Sequence, residues 1–413
     1  QAWAQRNLGG VRRSANPALR LDTRLMANCW PWLLALAAGG SAYAFLTPAP
    51  RELSPGPGLR GFHEGAAPRG SAWGATGAAS AAVCMAAIGA SAAVRRRASA
   101  GSDGFSYKKA FFFPGQGAQS VGMCKELVEV PKAKEMFETA SDIVGYDLLD
   151  CCINGPKEEL DRTAVSQPAI FVASMAAVEK LRAEGGAADI EDATVAMGLS
   201  LGEYSALSFA GALSFEDGVK VTKARGEAMQ AAADAAASGM VSVVGLDSAK
   251  TEELCAKVRE LTGQRIQIAN YLCKGNYTVS GDKDACAKLA EIAKPEFKAR
   301  LAVPLAVAGA FHTDFMAPAV EKLEEVLASV DLQTPRIPVV SNVDAKPHGD
   351  PETIKATLAK QVTSPVQWET QMKDLSSSGT FEQGFECGPG KVIAGIMKRI
   401  DKAAAANITN ITA

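Results

Sequence analysis

The stretch AMGLSLGEY, at residues 196–204, places Gly-x-Ser-x-Gly between a predicted strand and a predicted helix, and the rest of the chain is organised around it. A short apolar run, residues 193–197, leads into the motif, and a small-residue helical pattern follows at residues 203–212. In this context a tight turn forces the side chain of Ser200 outward, at a helix N-terminus where free N–H groups favour negative charge. The stretch predicts a nucleophilic serine in an α/β protein. A strand–helix turn with an incidental serine would show the same pattern.

A second glycine-rich turn comes earlier in the chain. Residues 107–113 have an aromatic-rich strand pattern that leads into PGQGAQ at residues 114–119. Such a turn exposes backbone N–H groups, but it lacks the G-K-[ST] that a phosphate-binding loop carries. We expect it to supply an oxyanion donor beside Ser200. A plain strand–helix turn is the alternative.

A serine nucleophile needs a base at neutral pH, and the chain has only three histidines. His63 lies in the N-terminal extension. His348 lies in a polar turn, PHGDP, which we expect on the surface. His312 follows an apolar run, so we expect it to line a cleft and to act as the base. Asp314 is too close in sequence to face the same ring, so a backbone carbonyl from residues 361–364 is the expected orienting group.

Arg225 is a candidate for binding an anionic substrate. A glycine follows it directly, which lets a ligand or another backbone segment approach. A guanidinium near Ser200 would hold a carboxylate by two N–H···O bonds. An ordinary helix-surface arginine is the alternative.

The pattern of elements predicts an α/β fold with an inserted unit. Residues 105–237 and 307–404 form a large subdomain, like an α/β-hydrolase core with a parallel sheet. Residues 238–306 read as βαββαβ, the order of a ferredoxin-like subdomain. Residues 405–413 are expected to form a disordered tail.

The first 104 residues have the composition of a targeting leader. They contain eleven Arg, no Lys and four acidic residues, whereas the whole chain has a net charge of −2. An apolar run at residues 30–46 resembles a signal sequence, and an Ala-rich run at residues 72–94 is long enough to span a bilayer. The two runs predict a two-part leader for a complex plastid, largely disordered. A disordered or membrane-anchored extension is the alternative.

The nine cysteines form no C-x-x-C pair, so neither a disulfide framework nor a zinc site is indicated.

Over residues 107–402 the chain resembles the malonyl-CoA:acyl-carrier-protein transacylases of type II fatty acid synthesis. Seven motifs follow the order of that family: PGQGAQ with GM (114–123), GLSLGEY (198–204), RGEAMQ (225–230), AFHTDFM (310–316), SNVDA (341–345), QVTSPVQW (361–368) and GPGKV (388–392). Most members have histidine directly before the serine. Leu199 at that position resembles the plant-plastid form.

The resemblance implies a role for each candidate residue. It implies that Ser200 is the acyl-carrying nucleophile and that His312 is its base. The backbone N–H groups of Gln116 and Leu201 would form the oxyanion hole, and the backbone carbonyl of Gln361 would orient the base. Arg225 would bind the malonyl carboxylate, and Asn270 would lie near the pantetheine path.

The function implied by the resemblance is transfer of a malonyl group from malonyl-CoA to the pantetheine thiol of acyl carrier protein, supplying fatty acid synthesis. The expected partners are malonyl-CoA and acyl carrier protein. We expect the protein to bind no metal, cofactor or nucleic acid. We also expect the catalytic part to lie outside the membrane, and the protein to be a monomer in the plastid stroma. The alternatives are a serine esterase, an acyltransferase for another acyl-CoA, and an inactive scaffold.

Overall fold

The computed structural model describes residues 105–413. The leader, with its two apolar runs and His63, lies outside the described residues. The strands of the described part are β1 (Lys109–Phe113), β2 (Val195–Gly198), β3 (Ser238–Val244), β4 (Ile266–Cys273), β5 (Asn276–Asp282), β6 (Leu301–Pro304), β7 (Val339–Val340), β8 (Gln383–Gly388) and β9 (Ile408–Thr412).

Helices connect and cover these strands. In chain order they are α1 (Pro131–Val144), α2 (Leu148–Asn154), α3 (Lys157–Leu160), α4 (Thr163–Leu181), α5 (Ala187–Glu191), α6 (Gly202–Phe209), α7 (Phe215–Asp234), α8 (Ser248–Thr262), α9 (Lys283–Ile292), α10 (Ala317–Ser329), α11 (Pro351–Gln361), α12 (Trp368–Ser377), α13 (Val392–Ile400) and α14 (Lys402–Ala406). Short 3₁₀ turns lie at Leu127–Glu129 and Asp314–Met316.

A five-stranded parallel sheet, in the order β7-β2-β1-β8-β9, forms the centre of the large subdomain. Phe111 and Phe113 pack into the core on one face of β1, while Phe112 packs into the core on the other. Helices cover both faces, which explains why this strand reads as a continuous apolar run. Parallel pairing places Phe113 opposite Gly198, so the turns after β1 and β2 meet at one edge of the sheet.

The inserted unit has a four-stranded antiparallel sheet, in the order β4-β5-β3-β6. Helices α8 and α9 complete the βαββαβ order that the sequence predicted. Its own core includes Val241, Ile268 and Val279. The predicted fold class, an α/β protein with a parallel sheet and a small inserted subdomain, is therefore confirmed.

The C-terminal segment differs from the prediction of a disordered tail at residues 405–413. Strand β9 pairs in parallel with β8, with Ile408 opposite Gly384 and Thr412 opposite Gly388. Ile411 is buried against the core of the large subdomain. The sequence of this segment, ITNI at residues 408–411, is too short and too polar to be recognised as a strand. Its pairing depends on the exposed edge of β8, which the sequence alone does not show.

Among residues 105–413, no helix is long and apolar enough to cross a membrane.

Candidate active site

Ser200 lies in the sharp turn between β2 and α6. Its backbone φ is 53°, a left-handed conformation that non-glycine residues seldom adopt. A Cβ atom at Gly198 would lie 1.9 Å from the carbonyl carbon of Gly202, and one at Gly202 would lie 2.1 Å from the carbonyl oxygen of Phe113. Only glycine fits at both positions, because strand, turn and helix are in contact there.

The imidazole of His312 faces this serine. Its Nε2 atom is 2.8 Å from Ser200 Oγ, and its Nδ1 atom is 2.9 Å from the carbonyl oxygen of Gln361. Since a carbonyl oxygen can only accept, Nδ1 carries the proton and Nε2 is the acceptor for the serine hydroxyl. The ring is therefore in the tautomer that a general base needs.

The surroundings of His312 keep this ring neutral. Burial lowers its pKa to about 4, and the positive charge of Arg225 acts in the same direction. Hydrogen bonds to the backbone of Gln361 and Ser364 oppose this change without reversing it. At neutral pH the imidazole is unprotonated and can accept a proton.

Arg225 is not the exposed helix arginine of the alternative interpretation. Only 1% of it is exposed, and its Nη2 atom lies 3.3 Å from Ser200 Oγ. Two amide oxygens fix the guanidinium, with Nη1 donating to Gln167 at 2.7 Å and Nη2 donating to Gln361 at 2.8 Å. Nε has no partner within the described chain. The site thus contains a buried, oriented cation beside the serine, with a donor to spare for an anion.

The two glycine-rich turns are in direct contact. A Cβ atom at Gly115 would lie 2.2 Å from the carbonyl oxygen of Leu199, so the turn that contains Gln116 packs against the turn that contains Leu201. Within residues 105–413, the backbone N–H groups of Gln116 and Leu201 donate no hydrogen bond to another residue. Both are free to bind a developing oxyanion.

Comparison with known proteins gives the family. The model of the family described as "Acyl transferase domain" matches residues 110–394. The mitochondrial malonyl-CoA-acyl carrier protein transacylase of Homo sapiens is 42% identical over 295 residues, which are 69% of this chain and 75% of the relative. The malonyl CoA-acyl carrier protein transacylase of Bacillus subtilis is 41% identical over 298 residues, 71% of this chain and 91% of the relative.

A solved structure gives the same result. The acyl-carrier-protein S-malonyltransferase of Burkholderia pseudomallei superposes with a TM-score of 0.69 at 36% identity, covering 74% of this chain and 96% of the other. This chain belongs to the malonyl-CoA:acyl-carrier-protein transacylase family. The family resemblance seen in the sequence motifs is confirmed.

The turn of this transacylase is held by an asparagine to which sequence reasoning gave no role. Asn342 Oδ1 accepts from the backbone N–H of Ser200 at 2.6 Å, and Asn342 Nδ2 donates to the carbonyl of Gly198 at 2.7 Å. The only signal was its place in the SNVDA motif, which indicated family membership and not a contact. Gln167 was missed in the same way, because its partner Arg225 lies 58 residues further along the chain.

The expectation that His348 lies on the surface was wrong. Its side chain is 1% exposed, and its Nε2 atom is 2.7 Å from Oε1 of Glu203, which is also fully buried. The chain after β7 folds back on itself, with the N–H of His348 donating to the carbonyl of Val339 at 2.8 Å. This return directs the ring inward from a turn whose polar sequence is typical of surface turns.

Asn270 and Asp314 make no hydrogen bond to the side chains of Ser200, His312 or Arg225 within the described residues. Asn270 is in β4, where an isolated bridge to Val366 connects the small sheet with the large subdomain. Its Oδ1 atom is buried and has no partner in the part of the chain that the structure describes. Asp314 is exposed and has no contact with the His312 ring, in agreement with its exclusion as a third catalytic member.

Proposed function

We propose that this transacylase transfers the malonyl group from malonyl-CoA to the pantetheine thiol of acyl carrier protein through a malonyl ester of Ser200. The observation that carries this function is the convergence at Ser200 Oγ of a neutral imidazole at 2.8 Å and a buried guanidinium at 3.3 Å. The first activates the hydroxyl, and the second binds a carboxylate close to it. An esterase for neutral substrates has no use for a buried cation at this point.

The first half-reaction forms the acyl-enzyme. His312 Nε2 takes the proton of Ser200 as Oγ attacks the thioester carbon of malonyl-CoA. The carbonyl oxygen becomes an oxyanion, which the N–H groups of Gln116 and Leu201 stabilise. The carbon–sulfur bond then breaks, and the CoA thiolate leaves with the proton from His312. The product is a malonyl ester on Ser200 and free CoA.

The second half-reaction repeats these steps with a different nucleophile. The pantetheine thiol of the carrier protein gives its proton to His312 and attacks the ester carbon of malonyl-Ser200. The same two N–H groups bind the oxyanion. Collapse breaks the bond to Oγ, and Ser200 recovers its proton from the imidazole. Transfer is therefore ping-pong, and the carbonyl of Gln361 keeps the ring in its working tautomer throughout.

Arg225 selects the acyl group in this proposal. A malonyl ester places a free carboxylate one carbon beyond the reacting carbonyl, within reach of a guanidinium that lies beside Oγ. Gln167 and Gln361 hold the guanidinium before the substrate arrives, so little ordering is needed when the carboxylate binds. An acetyl group leaves this buried cation unpaired.

Asn270 is proposed to contact the pantetheine arm. Its buried Oδ1 atom lacks a partner within residues 105–413 and could accept from an amide N–H of the arm. We expect Asn270→Leu to raise KM for both malonyl-CoA and the carrier protein, because both bring the same arm. An unchanged KM for both substrates would remove Asn270 from the site.

We also propose a plastid location and a monomeric state. The leader's two apolar runs, its arginine-rich composition and Leu199 support the location. A fluorescent protein fused to residues 1–104 should enter a complex plastid, and accumulation in mitochondria would contradict the proposed location.

The monomeric state is tested by analytical ultracentrifugation. We expect sedimentation at the mass of one chain, and a dimer at all protein concentrations would rule out the monomer.

The transfer itself is tested in two stages. The enzyme is incubated with radiolabelled malonyl-CoA, separated from free nucleotide, and mixed with carrier protein with or without its pantetheine arm. We expect the label to move to the pantetheine-bearing form only. Release of most of the label as free malonate, faster than transfer, would instead identify a hydrolase.

A further inference from the structure

A fully buried carboxylate, Glu203, lies directly behind the Ser200 turn in the first turn of α6. Its Oε2 atom accepts from the backbone N–H of Asn342 at 3.0 Å and from Nε2 of Gln361 at 2.7 Å. Its Oε1 atom accepts from Nε2 of His348 at 2.7 Å. Both oxygens have partners, as burial of a carboxylate requires.

Gln361 connects this carboxylate with all three central side chains. Its Nε2 atom also donates to the carbonyl of Ser200 at 3.0 Å, and its Oε1 atom accepts from Arg225 at 2.8 Å. Its backbone carbonyl accepts from His312 Nδ1 at 2.9 Å. The amide cannot rotate without losing contacts, because its nitrogen faces an anion and its oxygen faces a cation.

Asn342 connects the same carboxylate with the strained backbone of the turn. Its side chain accepts from the N–H of Ser200, the residue with φ 53°, and donates to the carbonyl of Gly198, so the two bonds span Leu199. Its own N–H is bound by Glu203. The carboxylate therefore holds the turn through Asn342 and the catalytic groups through Gln361.

His348 is the group that completes this arrangement. Within the described chain it is the only residue that hydrogen-bonds to Oε1 of Glu203, and its side chain is 1% exposed. Without this donor, one oxygen of a buried carboxylate would have no partner, and the side chain would be free to turn away from Gln361 and Asn342.

We propose that His348 and Glu203 are a positioning pair, which sets the geometry of Ser200, His312 and Arg225 through Gln361 and Asn342. Neither residue of the pair contacts the reacting atoms. The inference rests on the proposed malonyl transfer. It predicts that the pair controls kcat and the preference for malonyl over acetyl groups, since both depend on the placement of Gln361. KM for malonyl-CoA should change little, because neither residue of the pair contacts the reacting atoms.

The test compares two replacements of the histidine with wild type. His348→Leu fills similar space without a donor, and His348→Gln restores an N–H group. Lys346→Leu, at an exposed position of the same turn, is the matched control. The concentration of active sites is taken from the burst of malonyl-enzyme, so that partial unfolding does not count as lost activity.

We expect His348→Leu to lower kcat per active site about tenfold, with KM for malonyl-CoA within about twofold of wild type, because small displacements of reacting groups are costly. The ratio of kcat/KM for malonyl-CoA to that for acetyl-CoA should also fall severalfold. His348→Gln should restore both quantities to within about threefold. Wild-type kcat and selectivity in His348→Leu would overturn the inference, whereas absence of transfer by the wild type would overturn the proposed function instead.

A measurement on the unmodified protein covers the case in which His348→Leu does not fold. With ¹⁵N-labelled histidine, the chain gives signals from only three rings. We expect a proton on Nε2 of His348, with a signal shifted downfield by the carboxylate of Glu203. Glu203→Gln should remove that shift, and it should also lower the preference for malonyl over acetyl groups. A ring protonated only on Nδ1, or a Glu203→Gln variant with wild-type selectivity, would contradict the pair.

Discussion

Ser200 Oγ lies 2.8 Å from Nε2 of the His312 imidazole and 3.3 Å from Nη2 of the Arg225 guanidinium. In the proposed transfer, His312 accepts the proton of Ser200, while Arg225 binds the far carboxylate of the malonyl group. Burial and, after it, the positive charge of Arg225 lower the pKa of His312. We expect a bound malonyl carboxylate to offset this charge, so the imidazole becomes more basic when its substrate is present.

Arg225→Ala should lower kcat/KM for malonyl-CoA roughly 10- to 100-fold, because a hydrogen bond to a charged group contributes about 1.5–3 kcal/mol. The value for acetyl-CoA should change much less. The measurement is steady-state transfer with both thioesters. Lys220→Ala removes an exposed positive charge from the same helix and serves as control. Equal losses for both substrates would argue against a carboxylate clamp.

The pH dependence of acyl-enzyme formation reports the state of His312. Burial, with a contribution from Arg225, places its pKa at about 4, so the ring loses its function only when the pH falls through that value. We expect kcat/KM to be constant between pH 7 and about 5. Acetyl-CoA is the suitable substrate, since it has no titrating carboxylate.

Arg225→Ala should raise the pH below which kcat/KM for acetyl-CoA falls. The substitution removes one of the two causes of the low pKa of His312, while burial remains. Circular dichroism at each pH excludes unfolding as the cause. A wild-type limb near pH 6.5, the ordinary value for histidine, would contradict the assignment of a buried neutral base.

Among the secondary-structure elements, the arrangement of the site depends on contact between the turn after β1 and the turn between β2 and α6. Gly115→Ala places a Cβ atom 2.2 Å from the carbonyl oxygen of Leu199, so the turn with Gln116 must move away from the turn with Leu201. Loss of one oxyanion donor lowers kcat by about 100- to 1,000-fold. We expect a fall of this size, with little change in KM.

The control for this variant is Gly395→Ala. A Cβ atom there meets nothing within 4 Å, and alanine favours a helix, so stability should be unchanged or higher. Near-normal kcat for Gly115→Ala, measured on folded protein, would show that the two turns need not touch for catalysis.

The sequence identified the elements that carry local signals and missed those held by distant partners. The Ser200 turn and His312 were predictable, because glycine spacing and the scarcity of histidine point to them. Glu203 and His348 were not, since their contact joins residues 145 positions apart in the chain. The polar PHGDP turn carried a surface signal, which tertiary folding overrode.

For the whole molecule, the order of elements was predictable, but the edge of the large sheet was not. Periodicity and the βαββαβ order identified the two subdomains. Strand β9 was taken for a disordered tail, since its polar sequence acquires meaning only beside β8. Closing this edge buries Ile411 against the main core.

Ile411→Ala should therefore lower the free energy of unfolding by about 2 kcal/mol, near the low end of the range for buried aliphatic truncations. Urea titration followed by circular dichroism measures this loss. Thr409→Ala, at an exposed position of the same strand, is the control and should change stability by less than about 0.5 kcal/mol. Equal stability of the two variants would indicate that the C-terminal strand does not pair in solution.

We propose that Ser200, activated by His312, carries the malonyl group between malonyl-CoA and the carrier protein. Intact-mass spectrometry after addition of malonyl-CoA, with peptide mapping of the modified residue, tests it most directly. We predict one malonyl adduct per chain on Ser200, its absence in Ser200→Ala, and a strongly slowed appearance in His312→Ala. An adduct of the same yield in Ser200→Ala, or one mapped to another residue, would contradict this role of Ser200.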